Sequence, residues 1–214
     1  MLHTETVEGK TFSLLKTLMQ DDHLSHFLLA GGTNLALRLG HRKSIDLDLF
    51  TPAPFEGKPI AEHLKVRYNF DPLFVRPQNG LQGTIDGIKV DFVAYIYPHV
   101  GEPTTEEEIR LYNIEDIVAM KLLAIRDNGT RLKDFVDIAY LSCSMPLNRM
   151  MQTFEQKFQT SSIGAWKSLT FFDDIRFEAE IVLPEKKVFD WKKIEQRILQ
   201  MIKYETKVFE TEPI

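Results

Sequence analysis

A single cysteine, Cys143, in a chain of 214 residues leaves no partner for an internal disulfide and excludes a cysteine-based zinc cluster. It reads as a small buried hydrophobe in a reducing compartment. The first ten residues, Met1 to Lys10, carry neither the basic region nor the long apolar core of a signal peptide. No run reaches the length of a membrane span. The expectation is therefore a cytoplasmic chain with no membrane partner. An excess of positive charge is missing as well, and a net charge of −5 argues against gripping nucleic acid over the whole surface by phosphate neutralisation. A local basic cleft stays open. Basic residues group from Arg38 to Lys43 and again at Lys121, Arg126, Arg131 and Lys133. There is no internal repeat. The remaining composition, 43% hydrophobic and 27% charged, is enough for a real core in one large domain or a core domain with a helical extension.

The apolar positions Phe12, Leu14, Leu15, Leu18, Met19 and Leu24 predict an opening helix from about Thr11 to Phe27. A strand, Phe27 to Ala30, follows, then the turn Gly31-Gly32-Thr33, a short helix from Asn34 to Leu39, and an alternating strand from Ser44 to Phe50. Pro52, Pro54 and Gly57 mark a loop before a helix from Ile60 to Tyr68. Short strands are expected at Leu73 to Pro77, Leu81 to Ile85 and Ile88 to Tyr97, joined by Asn79-Gly80 and Asp86-Gly87 turns. The stretch from Val100 to Glu108 reads as an exposed loop. Beyond it the pattern turns helical, with a hairpin from Ile114 to Ile125 and Arg131 to Ser142. Further helices are expected at Leu147 to Phe158, Ser162 to Thr170 and Asp190 to Tyr204, the last capped by Asp190. The change near residue 110 separates a strand-rich part, 1–110, from a helical part, 111–214.

Chemistry gathers on Ser44-Ile45-Asp46-Leu47-Asp48-Leu49-Phe50. As a strand it places Asp46 and Asp48 on one face and Ile45, Leu47 and Leu49 on the other. Two carboxylates side by side on an otherwise apolar strand repel each other, and a divalent cation would offset that repulsion. Asp91 is a third carboxylate of interest, because the segment Ile88 to Tyr97 is apolar apart from Lys89 and Asp91 and a buried unpaired carboxylate is costly. Three oxygen donors favour Mg2+, with Mn2+ a second choice, over zinc. Gly31 and Gly32 let the backbone approach phosphates closely at a helix N-terminus. Two ions held in this way suit an in-line phosphoryl displacement.

Gly32-Thr33, a short helix and Asp46-Leu47-Asp48, with Asp91 as a separate third carboxylate, resemble the nucleotidyltransferase superfamily related to DNA polymerase β. Ala30 to Leu37, His41 to Phe50, Asp116 to Lys121 and Lys133-Asp134-Phe135-Val136-Asp137 together are similar to the AbiEii/AbiGii toxin family of minimal nucleotidyltransferases, well over residues 27–142. Beyond that range, Lys167 to Asp174 and Trp191 carry a less specific likeness. The resemblance implies an α+β nucleotidyltransferase fold, a mixed twisted sheet flanked by helices and followed by a helical C-terminal region. It implies that Asp46 and Asp48 bind both metal ions and that Asp91 binds one and helps activate the acceptor hydroxyl. Gly31, Gly32 and Thr33 would hold the triphosphate, Lys121 would meet the phosphates, and Lys133 with Asp134 would complete the cleft. Arg42 and Ser44 read either as nucleotide-side residues or as supports of the aspartate strand. The implied partners are an NTP, an RNA acceptor such as tRNA, and a cognate antitoxin encoded nearby.

Two other readings stay open on the residues alone. One is a catalytically silent nucleotide- or RNA-binding protein that kept the fold. The other takes Asp46-Leu47-Asp48 as the nucleophile motif of a haloacid-dehalogenase-type phosphatase, although Phe50 stands where that motif wants Thr.

Overall fold

The computed structural model describes residues 1–184 and 187–214, which form two compact units, Met1–Asn113 and Ile114–Ile214. The first unit contains α1 (Gly9–Met19), β1 (Leu28–Leu29), α2 (Gly31–Leu39), β2 (Leu47–Thr51), α3 (Gly57–Tyr68), β3 (Asp71–Val75), β4 (Gly80–Ile85), β5 (Ile88–Ala94), β6 (Thr104–Glu106) and β7 (Ile109–Leu111). Its strands make one mixed seven-stranded sheet in the order β3-β4-β5-β2-β1-β7-β6. β2 and β5 run parallel at the centre, β1 and β7 are also parallel, and the other neighbours are antiparallel.

Alternation on the central strands fixes the two faces of the sheet. Leu47, Leu49, Val90 and Phe92 are buried with Leu15 and Leu18 of α1, Leu37 of α2 and Leu64 of α3 in one apolar cluster. Asp48 and Asp91 alternate with these residues and project from the opposite face. The core thus lies behind the carboxylates. The β4–β5 hairpin turns on Asp86 and Gly87, both at positive φ (49° and 79°), as the Asp-Gly pair predicts. Asn79 is also left-handed, but Gly80 already belongs to β4, so the β3–β4 connection spans 76–79 rather than a two-residue turn.

The opening helix is shorter than its apolar stripe suggests. α1 stops at Met19, and the Asp21 side chain accepts a hydrogen bond from the His23 amide (2.9 Å), capping a separate 3₁₀ turn, Asp22–Leu24. Arg110 fixes this segment by donating to the carbonyls of Met19, Leu24 and Phe27. Part of the expected loop from Val100 to Glu108 is strand. The β6–β7 hairpin turns on Glu107 and Glu108, both at positive φ (49° and 69°), a conformation that composition assigns to Asn or Gly. Leu111 then pairs with Leu29, which gives the hairpin a buried anchor.

The second unit contains α4 (Ile114–Asp127), α5 (Leu132–Leu141), α6 (Leu147–Phe158), α7 (Ile163–Ser168) and α8 (Trp191–Lys203). Asp190 caps α8 by accepting from the Lys192 amide at 3.0 Å. Trp191 stands edge-on to Phe135, Phe172 and Phe177, one aromatic cluster of this unit. Cys143 is half-buried rather than buried, with its thiol donating to the Thr211 carbonyl. No helix among the described residues is long and apolar enough to cross a membrane.

Candidate active site

Parallel pairing of β2 with β5 sets Asp48 directly opposite Asp91, and Leu47 and Leu49 opposite Val90 and Phe92. Register partners on parallel strands share a face, so the two carboxylates stand side by side one strand spacing apart. Asp46 lies just before β2 rather than on it. The expected alternation fails there, because Ile45 is exposed (63%) instead of sharing the core face with Leu47 and Leu49. What positions Asp46 is Thr33, whose buried hydroxyl donates to the Asp46 carbonyl and lies 2.8 Å from Ser44 Oγ. The Thr33 side chain therefore braces the aspartate segment. Its backbone amide sits in the first turn of α2.

Helix α2 begins at Gly31, so the amides of Gly31, Gly32 and Thr33 belong to the helix end that lacks intrahelical acceptors and carries partial positive charge. Gly31 has φ +64°, and a Cβ there would stand 1.9 Å from Asp48 Oδ2. A Cβ at Gly32 would come 2.5 Å from Arg42 Nη2. The two glycines thus seat a carboxylate on one side of the turn and a guanidinium on the other. Arg42 is buried, and its Nη1 donates to the Lys43 carbonyl at 3.1 Å. The Ala30 amide donates to the Asp48 carbonyl (2.8 Å), tying the turn to β2. Replacing Gly31 with alanine is expected to cost about 1–2 kcal/mol in backbone strain. Displacing Asp48 would also lower activity about a hundredfold. Urea denaturation and turnover measured on the same preparation check both.

Two further residues sit at this face. Lys89 Nζ is 3.1 Å from Asp91 Oδ2, and Gln82 Nε2 donates to both Asp91 oxygens at 2.8 and 3.0 Å. Burial pushes the Lys89 ammonium down, but its hydrogen bond to Asp91 and the charges of Asp91, Asp46 and Asp48 outweigh that and raise it above its ordinary value. All three carboxylates therefore act on one ammonium. Lys89 was legible in the sequence, because it lies two residues before Asp91 and so on the same strand face. Gln82 was not, since its place depends on pairing with β5.

The helical unit treats its candidates differently. Lys121 is buried, with Nζ 2.6 Å from Asp134 Oδ1 and 2.8 Å from Asp137 Oδ2. Asp134 also lies 3.4 Å from Arg131 Nε. Asp116 pairs with the wholly buried Lys157 at 2.6 Å. Burial pushes the Lys157 ammonium below its ordinary value, only partly offset by Asp116. Lys133 is half-buried on α5.

The carboxylate pair on β2 and β5 thus stands beside a helix N-terminus, with Asp48 seated against Gly31, and comparison with known proteins gives the family of the chain. A model of the nucleotidyl transferase AbiEii toxin family, type IV toxin–antitoxin system, matches residues 13–77 and 65–207. The chain belongs to that family. It is a nucleotidyltransferase of the AbiEii class, and such families generally work with divalent metals. An uncharacterized protein of Aquifex aeolicus is 30% identical over 189 residues, covering 83% of this chain and 86% of that one. The fold is shared with two Helicobacter pylori crystal structures at 16% identity. One, a candidate nucleotidyltransferase, has a TM-score of 0.59 over 94% of this chain and 92% of its own. The other, JHP933, has 0.58 over 92% of each. The seven-stranded mixed sheet flanked by helices is therefore the nucleotidyltransferase fold. AbiEii membership also sets aside the haloacid-dehalogenase reading.

Proposed function

We propose that this AbiEii nucleotidyltransferase moves a nucleoside monophosphate from an NTP to a hydroxyl of RNA, with tRNA the favoured acceptor, as the toxin of a toxin–antitoxin pair. The observation that carries the reading is Asp48 in register with Asp91 on one sheet face, beside the N-terminus of α2. The donor set fits a hard divalent cation. Asp46, Asp48 and Asp91 offer only oxygen, and the missing Cβ at Gly31 leaves the Asp48 carboxylate its space. Mg2+ or Mn2+ held by these three residues would supply charge neutralisation at the reacting phosphate.

The chain's own groups do the rest. The Gly31, Gly32 and Thr33 amides, backed by Arg42, present positive potential to the triphosphate. Asp91, held by Gln82 and Lys89, draws the proton from the acceptor hydroxyl as its oxygen bonds to the α-phosphorus. The bond from that phosphorus to the β-phosphate oxygen breaks, and pyrophosphate leaves. Ser44 and Thr33 keep Asp46 in place. Lys89, already drawn to the carboxylates, holds them against mutual repulsion before substrate arrives.

Purified protein incubated with each labelled NTP, magnesium and total RNA is expected to transfer label to RNA, and mass spectrometry of the RNA identifies the added nucleotide. Absence of transfer, with Asp46→Ala indistinguishable from the parent, would sink the proposal. Nucleotide binding without product or magnesium dependence would favour a silent binding protein instead.

A further inference from the structure

Away from the carboxylate face, the segment after α1 meets helix α3 at a cluster that the transfer reaction does not use. Asp21 is buried (3% exposed), and its Oδ2 lies 2.7 Å from His63 Nε2. Its Oδ1 lies 3.5 Å from His23 Nδ1. The His23 and His63 rings stack with centroids 4.1 Å apart. One oxygen and two imidazole nitrogens all fall within 4.8 Å of one another, and among the described residues no other group of three His, Cys, Asp or Glu does so. The Asp46, Asp48 and Asp91 carboxylates are therefore more widely spread than this set.

The geometry points to a transition-metal site, of the zinc class, with Asp21, His23 and His63 as its three protein ligands. Two imidazole nitrogens with one carboxylate suit Zn2+ and not Mg2+, so this centre differs in chemistry from the one proposed for nucleotidyl transfer. Its surroundings support a bound cation. Tyr68 donates its hydroxyl to Asp21 Oδ2 at 2.6 Å, and the His23 backbone amide donates to Oδ1, so the carboxylate is oriented by groups other than the imidazoles. Arg110 fixes the carbonyls of Met19 and Leu24, on either side of Asp21 and His23, which removes much of the entropy of assembling the site. The competing cation is Arg67, whose Nε stands 3.9 Å from Asp21 Oδ2. Its side chain is 61% exposed and lies over the Tyr68 ring, 5.8 Å from the centroid, so it can withdraw toward solvent without disturbing the imidazoles. His23 is mostly exposed, which leaves a fourth coordination position open to water. A metal here would replace a proton between His63 and Asp21 and tie the end of α1 to α3.

The test uses the untagged full chain and Zn2+ alone as the probe. Calorimetric titration in excess Mg2+ is expected to show one tight Zn2+ per chain, and Co2+ substituted for it is expected to give the visible absorption of mixed nitrogen and oxygen ligation. His63→Ala and His23→Ala should each weaken Zn2+ binding about tenfold or more, and Tyr68→Phe by about tenfold, through the loss of a supporting bond. His23 is exposed, so its variant folds and keeps the test decisive. Asp46→Ala should bind Zn2+ like the parent whether or not it transfers nucleotide. The proposal is overturned if Zn2+ does not bind, if both histidine variants bind as the parent does, or if Asp46→Ala abolishes binding.

Discussion

Asp91→Asn is expected to lower nucleotidyl transfer by about a thousandfold, the scale set by removing one preorganised electrostatic group from a reacting centre. Its thermal transition should stay within about 1 kcal/mol of the parent. The two readouts separate because of where Asp91 stands. Its side chain projects from the face opposite the apolar cluster, so an isosteric amide leaves Val90 and Phe92 packed as before. Gln82 and Lys89 lose part of their partner, which costs stability. Against that, the repulsion between Asp91 and its neighbour Asp48 disappears. The terms oppose each other. Activity loss with a matching loss of stability would instead make Asp91 a structural residue, and transfer at parental rate would remove it from the mechanism. Calorimetric melting beside single-turnover transfer distinguishes these outcomes.

Lys121→Met is expected to cost about 3–5 kcal/mol of stability, because it leaves the Asp134 and Asp137 carboxylates buried against each other without the ammonium between them. Both distances are those of direct charge-assisted hydrogen bonds, 2.6 and 2.8 Å, and both carboxylates are almost wholly inaccessible. Arg131 at 3.4 Å from Asp134 softens the loss on that side. Replacing all three charges together, Lys121→Met with Asp134→Asn and Asp137→Asn, should recover much of the difference, since the large term is the unpaired charge rather than the pair itself. Denaturant titration of the single and triple variants measures this. A residue that served only to meet phosphate would behave differently. Its loss would raise KM and leave the denaturation midpoint unchanged.

Much of this molecule is written in local pattern. The Asp86-Gly87 turn, the amphipathic helices of the second unit and the alternation of Leu47, Asp48 and Leu49 follow from properties that neighbouring residues settle among themselves, namely backbone φ preference and helix or strand period. The departures come where a short cap or a distant partner overrides the local pattern. The hairpin at Glu107-Glu108 was hidden because its turn uses residues that seldom accept positive φ, held there by strands anchored through Leu111 on Leu29. The opening helix was overextended because Leu24 continues the apolar stripe, although Asp21 captures the His23 amide and ends the run. The two buried carboxylate partners of Lys121 are not legible in the sequence, since they depend on how α4 meets α5.

The sequence by itself determined the chemical inventory of the candidate site: a Gly-Gly-Thr turn that opens a helix, an Asp-x-Asp segment and a later apolar strand with one carboxylate, enough to point to the AbiEii family. Tertiary structure alone decided that β5 lies parallel to β2 with Asp91 opposite Asp48, that Gly31 must lack a Cβ because Asp48 occupies its place, and that Asp21, His23 and His63 converge at all. The physical reason is range. Turn type and side-chain alternation are set by neighbours a few residues away, whereas strand register and the meeting of distant imidazoles are chosen by the packing that minimises exposed apolar surface across the whole sheet.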